Sequence, residues 1–192
     1  MSGWIGTYFL RRRNSQRART FTARQVYMTI YIFLIITHIV GTVLGAGGAT
    51  FAEIFFLKSA KDGTIDQEES AFLHITYAVL RIGMVLLVLS GFGFLLLYRF
   101  TDQAELLYNP KLWAKLTIIF ALLMNVLGMQ AHKMPFWLGS ALSLVSWYAA
   151  LTLGAWRGLD APYLTIMAGY IAAVACAAII LTLVRRSLGI KL

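Results

Sequence analysis

The stretch Tyr27–Leu57, YMTIYIFLIITHIVGTVLGAGGATFAEIFFL, decides the fold class. Its only acidic or basic side chains are His38 and Glu53. A helix rising about 1.5 Å per residue needs about 20 apolar residues to cross a hydrocarbon core ~30 Å thick. This stretch is longer than that, so it must tilt or protrude. Four more apolar runs follow, at Ala71–Tyr98, Leu112–Gln130, Phe136–Trp156 and Tyr163–Val184. With 59% hydrophobic and 13% charged residues over the chain, the expected fold is all-α, a polytopic membrane bundle of five transmembrane helices. Helices satisfy their own backbone polar groups, as the bilayer requires.

The segments between spans are short, which leaves no soluble domain to carry an active site. Chemistry must come from side chains in the bundle or at its rims. The organisation expected is a basic cytoplasmic or interfacial arm at 1–26, the five-helix bundle at 27–186 and a short tail at 187–192. Trp4–Leu10 reads as an aromatic interfacial anchor within the arm. Cys176 is the single cysteine; it excludes an internal disulfide and reads as a small packing residue among alanines.

The net charge of +9 is uneven. Arg11, Arg12, Arg13, Arg17, Arg19 and Arg24 precede the first span with no acidic residue among them. Next to a span, such a cluster holds the N-terminus in the cytoplasm and contacts anionic lipid headgroups; nucleic acid is not the expected partner. The expectation is a multi-pass protein of a bacterial inner membrane, N-terminus inside. The loop Lys58–Ser70 then lies outside, and so does the C-terminal end with Arg185 and Arg186.

Local signals mark where helices start. Asp66 followed by Glu69 reads as a capping box opening the second helix, after a turn at Asp62-Gly63. Asn109-Pro110 opens the third, and Pro135 the fourth. Gly41, Gly45, Gly48, Ala49 and Ala52 recur at helical spacing in the first span, a stripe that admits a neighbouring helix or a flat ligand close to the backbone. Ser140, Ser143 and Ser146 form a second stripe, expected to bond back to their own helix. The fifth span carries no ionisable residue within its apolar run and reads as a packing helix.

Ionisable groups inside hydrocarbon cost at least ~2.5 kcal/mol each to insert, which makes them functional candidates. Three stand out. His38, mid-span, must hydrogen-bond within the bundle, bind a metal or relay protons. Arg81 reaches outward, or pairs with Glu53 or with a propionate-like anion. Lys115 snorkels toward the near interface, or meets His38 at a common depth. Glu53, His74 and His132 gather at the opposite rim, a donor set able to hold a divalent metal.

The run His38-Ile-Val-Gly41, Arg81 ahead of a glycine-containing span, and Trp113-Ala-Lys115-Leu116 opening the third span resemble the HemJ-type protoporphyrinogen oxidases and related CopD-like membrane proteins over about residues 30–130. Asn125 and Val126 stand where HemJ-type chains carry a further histidine. The resemblance implies a b-type haem on His38, with Lys115 essential and Arg81 a propionate partner, serving electron transfer or porphyrin oxidation. Two other classes fit the residues: a non-enzymatic assembly subunit of a larger membrane complex or homo-oligomer, and a small ion or solute transporter.

Overall fold

The computed structural model describes residues 3–59, 66–101, 103–156 and 158–189, with side chains from residue 24 onward. Five α-helices account for it: α1 (Gly3–Ser59), α2 (Gln67–Arg99), α3 (Pro110–Gln130), α4 (Phe136–Ala155) and α5 (Tyr163–Ser187). Each is long and apolar enough to cross a membrane, α1 through its Arg24–Ser59 portion. The chain is thus a multi-pass membrane protein, with span limits close to those read from the apolar runs.

Backbone chemistry sets the helix starts as expected. The Asp66 carboxylate accepts from the Glu69 amide at 2.8 Å, and the Glu69 carboxylate accepts from the Asp66 amide at 3.3 Å. Asn109 accepts from the Lys111 amide at 2.9 Å, with Pro110 at the first helical position. Pro135 precedes α4. The backbone of the basic arm is helical from Gly3 and runs unbroken into the first span, because neither glycine nor proline interrupts the chain between Gly6 and Gly41. The expected anchor Trp4–Leu10 and turn Asp62-Gly63 lie outside the described side chains and residues. The connection into α3 holds a short 3-10 helix, Ala104–Tyr108, that the sequence did not announce.

For orientation, the end carrying the arm is called proximal and the end carrying Ser59 and Gln67 distal. Helices α1 and α2 form an antiparallel hairpin, and α4 packs against α1, α3 and α5. The glycine stripe explains both contacts. A Cβ placed on Gly83 of α2 would lie 2.8 Å from the Gly45 nitrogen and 2.9 Å from the Gly41 oxygen. The two backbones therefore touch, a proximity only glycine allows. Farther along, a Cβ on Gly45 would overlap the Trp147 ring of α4. Trp147 is 1% exposed and joins Ala46, Ala49, Met84, Leu87 and Leu122 in the core. The small residues of α1 thus serve helix packing, and the space a flat ligand would need over them is filled.

Helix α3 buries Ala114, Ile118, Leu122 and Asn125, spaced by four, four and three. That is one helical face, turned toward the α4–α5 side of the bundle. Tyrosine hydroxyls bind across helices, Tyr163 to Thr117 at 3.0 Å among them. Tyr148 bonds Thr50 at 2.9 Å and Tyr170 bonds Ser146 at 2.7 Å. The Thr50 and Ser146 protons go to their own helices, at Ala46 and Leu142, so the tyrosines donate. Cys176 is exposed on α5; it faces outward and does not pack inside the bundle.

Candidate functional site

The proximal half holds the first candidate. His38 is half-buried, and its Nδ1 lies 2.9 Å from the Ser90 hydroxyl on α2. Ser90 is itself 2.6 Å from the Leu86 carbonyl and 3.1 Å from that of Leu87. With its one proton directed to its own helix, Ser90 accepts from the imidazole, so Nδ1 carries the hydrogen and Nε2 carries the lone pair. Phe94 meets the ring edge-on, centroids 5.7 Å apart. No hydrogen-bond partner of Nε2 is present among the described residues. The requirement that a mid-span imidazole be hydrogen-bonded is met at one nitrogen, and the other is left as a donor of electrons.

This polarity is the one an axial ligand needs. A metal-binding histidine characteristically gives its second N–H to a fixed acceptor, which sets tautomer and ring direction. Beside the ring, a Cβ added at Gly91 would meet His38 Cε1 at 3.9 Å, an ordinary van der Waals contact. The donor chemistry fits a haem ligand. The stripe Gly41–Gly48 does not furnish its slot, being covered by α2 and Trp147. Lys115 is half-buried in the proximal part of α3, and no hydrogen bond joins it to His38.

Arg81 does not belong with His38. It stands nine residues from Ser90 on the same helix, about 2.5 turns, which places the two on opposite faces of α2. Ser90 faces α1; Arg81 opens onto a cleft between α2 and α3. The propionate-partner role expected for Arg81 has no geometric basis on a macrocycle held by His38.

The distal half holds a second candidate that the sequence misassigned. Arg185 of α5, read as a charge of the outer C-terminal end, is 0% exposed. Its Nη2 donates to Glu53 of α1 at 2.6 Å and to Ser140 of α4 at 2.7 Å. The guanidinium carbon lies 5.3 Å from the centroid of Phe56 and 4.9 Å from that of Phe136. The carboxylate and the two ring faces compensate part of the hydration the buried guanidinium has lost. Glu53 therefore pairs with Arg185 and not with Arg81, and α5 is more than a packing helix. The only signal for this in the sequence was an arginine at the end of an apolar run, which reads equally well as an interfacial residue.

The rim site expected of Glu53, His74 and His132 is not assembled. Glu53 points inward, while His74 and His132 are exposed. Among the described residues no three His, Cys, Asp or Glu side chains come near enough to hold a metal ion. His132 instead occupies the left-handed region, φ 53°. It ends α3 as the Lys133 amide bonds back to the Gly128 carbonyl at 2.9 Å, the arrangement of a Schellman cap.

The serine stripe divides three ways. Ser146 bonds back to its helix as expected, Ser140 accepts from Arg185, and Ser143 lines the α2–α3 cleft. Asn125 is 1% exposed and donates through Nδ2 to the Gly139 carbonyl at 2.8 Å, with no partner for Oδ1.

No family model matches the chain, and no curated protein or solved structure is significantly similar to it.

Proposed function

We propose that this is a redox protein of a bacterial inner membrane, N-terminus cytoplasmic, that holds a b-type haem on His38 Nε2 and acts in electron transfer or porphyrin oxidation. The observation that carries the reading is the imidazole's polarity, with Nδ1–H given to Ser90 and Nε2 left bare. Haem, when bound, supplies the one-electron chemistry that no side chain in this bundle offers. Ser90 holds the tautomer and the direction of the ring. Phe94 packs edge-on against the imidazole, and Lys115 stands in the same half of the bundle. The six arginines ahead of the first span favour the orientation.

The test is an absorption spectrum of the detergent-purified chain expressed with ample haem, beside His38→Ala. A Soret band that disappears with the histidine is expected. A colourless wild-type protein removes the reading.

A second reading, passage of a small ion or solute, is favoured by one observation. Glu53, paired with Arg185, borders a void of about 50 Å³ shared with Tyr77, Ser140 and Ser143. Charge inside a span marks ion and solute paths. Liposome flux unaffected by Glu53→Gln would dismiss it.

A further inference from the structure

The cleft between α2 and α3 has a volume of about 490 Å³ and is floored by Trp147 of α4. Apart from a few polar groups its wall is apolar, with Met84, Val85, Val126 and Met129 prominent. It has the size and character of a small-molecule site. It exists because α2 packs on α1 and α3 packs on α4 and α5, while α2 and α3 do not close on each other.

Arg81 is the one charged group on this wall among the described residues. Arg81 makes no hydrogen bond or ion pair among the described residues. It lies ten residues, about 15 Å, from the start of the apolar run at Ala71, near the middle of a ~30 Å core. From that depth its stem falls short of either interface. Asn125, on the facing helix, presents a buried carbonyl oxygen with no partner. An unpaired guanidinium in hydrocarbon is costly, and an anion within the cleft relieves it.

We propose that this cleft binds one membrane-dissolved amphipath bearing a single oxyanion. Arg81 holds the anion as a charge-assisted pair. The apolar body lies along Met84, Val126 and the Trp147 face. The cleft is at bilayer depth between two spans, so the ligand enters from the lipid and not from water. The site lies on the face of α2 opposite Ser90 and stands independently of any haem on His38.

The oxyanion is either a free lipophilic acid or the headgroup of a resident phospholipid, and two probes separate these. The full chain is placed in phosphatidylcholine nanodiscs with diazirine-bearing palmitic acid, or with phosphatidylglycerol carrying the same group, and the labelled residues are mapped by mass spectrometry. Diazirine-bearing hexadecanol is the uncharged control and needs no variant. Saturable labelling of the cleft residues is expected with one of the anionic probes, and that probe identifies the source. Arg81→Gln weakens it about tenfold, the loss of one charge-assisted hydrogen bond, and Arg81→Lys retains most of it. Labelling that rises without saturation, matches that of the alcohol, or is indifferent to Arg81→Gln overturns the proposal.

Discussion

Glu53 and Arg185, 132 positions apart in sequence, meet at 2.6 Å and tie the first transmembrane helix to the last. Ser140 shares the same guanidinium nitrogen, and Phe56 and Phe136 cover its faces. Two further nitrogens of Arg185, Nε and Nη1, are buried without partners. The pair locks three helices together and is costly to disrupt from one side.

Arg185→Leu is accordingly expected to destabilise the bundle by about 3–5 kcal/mol, since it leaves a buried carboxylate uncompensated. Adding Glu53→Leu recovers most of that loss, because a well-packed apolar pair replaces two desolvated charges. Denaturant unfolding of the detergent-solubilised protein in a double-mutant cycle measures both. Equal, additive losses would show that the contact contributes nothing.

The glycines of the α1–α2 crossing differ in what surrounds them. Gly83→Ala drives a methyl into the Gly45 and Gly41 backbone, which cannot yield without separating the helices. A loss of about 1–3 kcal/mol is expected, at the upper end for this site. Gly45→Ala displaces the Trp147 ring and is detected as a change in its near-ultraviolet circular dichroism. Gly47, with nothing within 4 Å of its Cβ position, tolerates alanine. Thermal unfolding of the three variants ranks them.

Ser90 acts on His38 from a second position. Ser90→Ala removes the acceptor of the Nδ1–H bond and frees the ring to turn. Loss of such a supporting partner weakens metal binding about 10–100-fold. Haem titration of Ser90→Ala beside wild type is expected to show that weakening, with helicity unchanged. A variant that binds haem as wild type does would leave Ser90 a packing residue only.

His132 sits in a left-handed turn at φ 53°. A residue with a Cβ costs about 1–2 kcal/mol in that region, and glycine removes the penalty. Glycine's greater chain freedom in the unfolded state offsets part of that gain, so His132→Gly is expected to raise stability by about 1 kcal/mol. Hydrogen exchange at the α3–α4 turn reads the effect locally. A destabilised variant would mean that the imidazole makes a contact of its own.

The spans were legible because they are local. Tyr163–Val184 is an apolar run whatever its neighbours do, and the Asp66–Glu69 box acts over one turn. The partner of Glu53 was not legible, since Arg81 and Arg185 are both arginines at the level of composition. Arg81 lies in mid-span and looked the better candidate; helical phase and the packing of α5 select Arg185. His74 and His132 shared a rim with Glu53 by depth alone, and depth does not say which way a side chain points.

By itself the sequence determined that this chain has five helices able to cross a bilayer, and where α2, α3 and α4 begin. Hydrocarbon thickness and backbone hydrogen bonding act along one dimension, residue by residue. Which charges meet, that the glycine stripe takes a helix and a tryptophan, and that α2 and α3 stand apart around Arg81 were decided only in the tertiary structure. Those outcomes depend on helix rotation and on contacts between segments far apart in the chain, and the local pattern of residues is nearly the same for every rotation.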